Sequence, residues 1–81
     1  MDRAPKTRSE IERLVLHELR SSDQCEGAAG VFVIAYDNGI DNANWTLAAY
    51  NAGTATEYAC ELALQQILPR LQVFFELVEK H

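Results

Sequence analysis

Residues 60–78, CELALQQILPRLQVFFELV, decide how this chain must be built. Within them Cys60, Leu64, Ile67, Leu71, Phe74 and Val78 recur at alternating steps of four and three, the spacing that places side chains on one side of an α-helix. They predict a buried seam. Leu62, Val73 and Leu77 fall on a different side of the same helix, and a single small core does not cover both strips. The segment therefore predicts self-association as well as a helix. Pro69 lies inside the run and lacks the amide that would bond the carbonyl of Gln65, so the long final helix is expected to kink or break near Pro69.

Upstream, Thr54-Ala55-Thr56-Glu57 has the form of a capping box, which predicts Thr54 as N-cap of a helix carried on from Tyr58 to Val78. Asn51-Ala52-Gly53 ends the preceding apolar stretch, Trp45 to Tyr50, which is expected to be a strand. Ala28 to Tyr36 is continuously apolar, with β-branched and aromatic residues, and predicts a second strand. Between the two, residues 37–44 (DNGIDNAN) are rich in Asn, Asp and Gly, so the pair should be an antiparallel hairpin. Alternation puts Val31, Val33 and Ala35 on one face and Phe32, Ile34 and Tyr36 on the other. One of those faces has no cover within the chain. Near the N-terminus, Thr7 to Glu10 and Ser9 to Glu12 both fit the capping pattern, and Ile11, Leu14, Val15 and Leu19 form one apolar face of a helix over about Ser9 to Ser21. The predicted fold is α+β in the order α-β-β-α: a two-stranded antiparallel hairpin packed against two helices, with residues 1–8 a flexible arm.

Eighty-one residues make one domain, 1–81. A chain this short buries only roughly 60–65% of the surface its unfolded form exposes, so its core is marginal without a disulfide, a metal or a partner. Cys25 and Cys60 form no zinc-spaced cluster, which leaves a second copy as the better support. Hydrophobic residues at 48% and charged ones at 23% fit a folded globular protein and argue against disorder. No apolar run resembles a signal peptide or a membrane span, so the expected location is cytoplasmic, with reduced thiols.

The net charge is −5, and its distribution matters more. From Ser21 to Pro69 there is no Lys or Arg, whereas Asp23, Glu26, Asp37, Asp41, Glu57 and Glu61 lie in that span. Such a surface repels phosphates, and nucleic acid is not an expected partner. The oxygen-rich residues 37–42 lack the glycine position and closing glutamate of a calcium loop and are expected to be a solvated turn. Cys60, early in a helix, has the setting of an activated thiol, but it lies on the apolar seam with Glu57 and Glu61 beside it. A core cysteine is the expectation, and Cys25, in a connector, is expected to be exposed and so the more reactive. His17 is expected on the surface and His81 is terminal. No catalytic residue, metal ligand or cofactor site is predicted.

Residues 25–31 (CEGAAGV), Asn44-Trp45 and Asn51-Ala52-Gly53-Thr54, in this order of elements, resemble small uncharacterised bacterial αββα proteins. The resemblance implies the fold and no activity. Among well-understood shapes the double-stranded-RNA-binding domain is similar, but Thr54, Glu57 and Glu61 stand where its basic helix start would be, which removes the phosphate clamp.

The sequence thus predicts a non-enzymatic, homodimeric protein-interaction or regulatory module. A continuous helix over Thr54–Lys80 would span about 40 Å, and a compact chain of this length only about 30 Å, so the end of the helix should overhang. Leu71, Phe74, Phe75, Leu77 and Val78 are the expected interface. The alternative is a small-ligand-binding domain or minor enzyme whose pocket forms at the subunit interface from Trp45, Tyr50, Tyr58 and the carboxylates of the hairpin turn.

Overall fold

The computed structural model describes residues 3–36 and 44–78. Along the chain these form β1 (Ala4–Lys6), α1 (Arg8–Arg20), β2 (Gly30–Ala35), β3 (Trp45–Asn51), α2 (Glu57–Phe74) and β4 (Phe75–Leu77). The class is α+β, with two helices and four strands in two small sheets.

Thr7 starts α1 by a reciprocal capping box: its hydroxyl accepts from the Glu10 N–H at 3.3 Å, and the Glu10 carboxylate accepts from the Thr7 N–H at 2.9 Å. Both orphan donors are satisfied, so the helix begins one residue before Ser9. Its buried residues are Ile11, Val15 and Leu19, three of the four on the predicted face; Leu14 is only half-buried, and Leu16 packs against the core instead. That face packs on β2, whose Val31 and Val33 point inward while Phe32 and Ile34 point out.

Strand β2 pairs antiparallel with β3, with Val31 opposite Tyr50, Val33 opposite Leu47 and Ala35 opposite Trp45. The register shifts between Phe32 and Val33, so Ala48 is an extra residue on the β3 side. This bulge puts Leu47 and Tyr50, three positions apart, on the same inward face. The predicted turn at 37–43 and its carboxylates lie outside the described residues.

The connector and the exit of β3 interlock. The Thr54 N–H bonds the Gly27 carbonyl at 3.2 Å, and Gly53 turns the chain with φ +59°. A β-carbon on Gly27 would run into the Thr54 hydroxyl, and one on Gly53 into the Gly27 carbonyl. Thr54 is thereby packed against the connector, and the expected cap moves by two residues. The Thr56 hydroxyl accepts from the Ala59 N–H at 3.3 Å, and α2 starts at Glu57.

Helix α2 buries Cys60, Leu64, Ile67 and Leu71, the first four residues of the predicted seam, and it contains Pro69. It ends at Phe74, not Val78. Phe75 is extended (φ −129°, ψ 143°), and Phe75–Leu77 pairs parallel with Ala4–Lys6. Two expectations are corrected here. Residues 4–6 belong to a strand rather than an arm, and the helix does not overhang: 18 residues span about 27 Å at 1.5 Å each, within a longest molecular extent of 33 Å.

This small parallel clasp is tied to the hairpin by polar side chains. Asn44 holds Leu77 by two bonds of 2.8 Å, its amide donating to the Leu77 carbonyl and its oxygen accepting from the Leu77 N–H. The Trp45 indole donates to the Phe75 carbonyl at 3.0 Å. Gln72 is buried and donates from Nε2 to the Trp45 carbonyl at 2.7 Å, while its main-chain carbonyl accepts from Arg3 Nε at 2.7 Å. Among the described residues no buried side-chain polar atom lacks a partner.

Candidate functional site

The hairpin has two faces and two edges, and the chain treats them differently. The inner face is covered by the helices, with Trp45 wholly buried. At the β2 edge, the Val33 N–H donates to the Glu12 carboxylate of α1 at 2.9 Å, so a side chain occupies the position a strand would take. The outer face and the β3 edge remain.

On the outer face Phe32 is 58% exposed, Ile34 42% and Tyr36 45%. Phe32 stands opposite Ala49 and Ile34 opposite Thr46, so the cross-strand neighbours carry no charge. Two large apolar side chains on one strand face with neutral neighbours, and an exposed aromatic residue just past the strand's end, make this the most apolar open part of the hairpin.

Beside the β3 edge, a groove of about 600 Å³ separates β3 from α2. Leu47, Ala48, Ala49 and Tyr50 form one wall; Leu64 and Leu68 give the opposite wall an apolar part, and Glu57, Glu61 and Gln65 line the rest of it. Tyr50 donates its phenol hydrogen to the Glu57 carbonyl at 3.3 Å. Loss of solvent, followed by the adjacent Glu61 carboxylate, raises its pKa above the usual tyrosine value. The phenol stays protonated, as a donor, beside two carboxylates.

The three aromatic residues expected to share a pocket are separated. Trp45 is in the core, Tyr50 lines the groove, and Tyr58, 74% exposed, borders a different hollow with Asp23, Gln24 and Leu62. Nor does the C-terminal set form one surface. Leu71 and Leu77 are buried in the chain's own core, and Phe75 and Val78 are half-buried. The Phe75 ring lies 5.9 Å from the Lys6 ammonium. Phe74 is exposed. Sequence reasoning missed the groove, because its walls meet only in three dimensions.

Both cysteines are free thiols and wholly buried in the core, Cys25 included, which corrects its expected exposure. Burial and then a hydrogen bond with Cys25 raise the pKa of Cys60, the reverse of an activated nucleophile. Among the described residues no three His, Cys, Asp or Glu side chains gather as metal ligands, and no helix is long and apolar enough to cross a membrane. No known protein family matches the chain, and neither a curated protein nor a solved structure is significantly similar to it.

Proposed function

We propose that this chain is a non-enzymatic protein-interaction module that acts as a homodimer, joined through the outer face of its hairpin. The observation that carries the reading is the exposed pair Phe32 and Ile34 on β2, with the exposed Tyr36 just beyond the strand's end. A solvated sheet face is ordinarily polar, whereas the face that this chain's helices leave uncovered carries large apolar side chains. Among the described residues, Phe32, Ile34 and their cross-strand neighbours Ala49 and Thr46 carry no charge that would repel a copy of this face, so a two-fold axis through it satisfies both subunits with the same residues. The uncovered second strip of α2, with Leu62 and Val73 exposed, adds apolar surface beyond the core. The buried, poorly ionised Cys60 supports the non-enzymatic part. The interface moves accordingly from the C-terminal segment, whose expected overhang supplied its argument, to the hairpin.

Sedimentation equilibrium at micromolar concentration tests this. The chain should sediment at twice its 9.1 kDa, and Phe32→Glu/Ile34→Glu should sediment as a folded monomer, since both side chains point away from the core. A monomeric parent would end the proposal, and so would a double variant that keeps the dimer mass.

A further inference from the structure

We infer that the groove between β3 and α2 binds an extended, basic segment of a partner protein, which lies along the β3 edge with its Lys or Arg side chains toward Glu57 and Glu61. The inference does not depend on the dimer.

Three features combine. The β3 wall is the outer edge of a two-stranded sheet whose other strand, β2, is already paired on its inner side, so main-chain recognition is available along Leu47–Tyr50. Because Ala48 is the bulged residue, this stretch offers three regular positions, about 10 Å at 3.3 Å per residue, room for a short strand. Leu47, Leu64 and Leu68 supply apolar surface for alternate side chains of such a strand.

Charge selects the occupant. Glu57 and Glu61 lie on the groove, and the sequence supplies no Lys or Arg between residues 21 and 69 to neutralise them locally. A second copy pairing through this edge about a two-fold axis would bring the same acidic wall against itself, which costs free energy at every separation below the Debye length. An anionic ligand meets the same repulsion. A peptide that alternates apolar and basic residues meets neither.

The test uses the full chain and a fluorescent seven-residue peptide, (Lys-Val)3-Lys, in low salt. Saturable binding with a Kd below roughly 1 mM is expected. Amide NMR shifts should be concentrated at 47–50. Glu57→Gln/Glu61→Gln, exposed positions whose folding circular dichroism checks, should weaken binding about five- to tenfold, as should added salt on the parent. The corresponding (Glu-Val)3-Glu peptide should not bind, and alternate N-methylation of the lysine peptide should abolish binding by removing its strand donors. Absence of binding would overturn the inference. So would salt-insensitive binding, an unchanged affinity in the double variant, or an N-methylated peptide that binds as well as the parent peptide.

Discussion

Replacing Gln72 by methionine isolates the bond that fixes the end of α2 to the start of β3. Methionine keeps the length and helix propensity of glutamine but not its amide, so the Trp45 carbonyl loses a 2.7 Å donor in a buried site. Leaving such an acceptor unsatisfied costs about 1–3 kcal/mol. The thioether returns part of this, about 1 kcal/mol, by burying apolar surface at a position only 5% exposed. Taken at the middle of that range the net loss is about 1 kcal/mol, and for a domain of this size each kcal/mol moves the melting temperature by about 4–8 °C. Gln72→Met should therefore melt roughly 4–8 °C below the parent by circular dichroism, at matched protein concentration because the proposed dimer would itself raise the midpoint. Gln66→Met, on the exposed side of the same helix, is the control and should stay within about 0.5 kcal/mol of the parent. A Gln72→Met protein that melts with the parent, or above it, would show that the buried amide does not hold β3 to α2.

Thr56→Ala should cost about 1 kcal/mol in urea unfolding and Thr54→Ala less; the reverse order would return the cap to Thr54. The Glu10 carboxyl is held below its ordinary pKa, first by the Thr7 N–H and then by the Thr7 hydroxyl, so its stabilisation is present above the unfolded pKa and lost as pH falls through the folded one. Glu10→Gln should accordingly melt below the parent at pH 7, with the gap closing as the pH drops under the ordinary glutamate range near 4.3; a gap independent of pH would refute the capping role. Neither Cys25 nor Cys60 should react with a thiol reagent at pH 8 until the chain is unfolded, and rapid native labelling of either would contradict their burial.

What was legible in the sequence was whatever carries a period. Cys60, Leu64, Ile67 and Leu71 repeat over three turns, and the helix buries all four. Val31 and Val33 against Phe32 and Ile34 repeat at two, and the strand buries one pair and exposes the other. The clasp was not legible, because three residues cannot establish a period: Phe75 and Leu77 fit a helical continuation and a strand equally well. What decides is distant in sequence, the backbone of residues 4–6 and the Asn44 side chain. The N-cap moved for a similar reason. Thr54 and Thr56 offer the same hydroxyl, and only the closeness of Gly27 to Thr54 removes the first from the competition. The groove needed the bulge at Ala48, which no local pattern announces, to bring Tyr50 round to the side of Leu47.

The two surfaces assigned to function share one origin, since a two-stranded sheet has two faces and two edges and the rest of the chain covers only part of them. The helices supply one face and Glu12 closes one edge, and the remaining face and edge have unlike chemistry. The outer face is neutral and apolar, suited to its own copy. The β3 edge borders two carboxylates, suited to a basic strand. Because Phe32 and Ile34 point out of the sheet and the groove lies on its helix side, occupancy of one should leave the other open. Phe32→Glu/Ile34→Glu should then be a monomer that still binds the lysine–valine peptide, and Glu57→Gln/Glu61→Gln a dimer that binds it weakly. The two losses should separate cleanly when sedimentation and peptide titration are run on the same samples. If instead either variant lost dimer and peptide binding together while remaining folded, the chain would have one interaction surface, and the division between face and edge would be wrong.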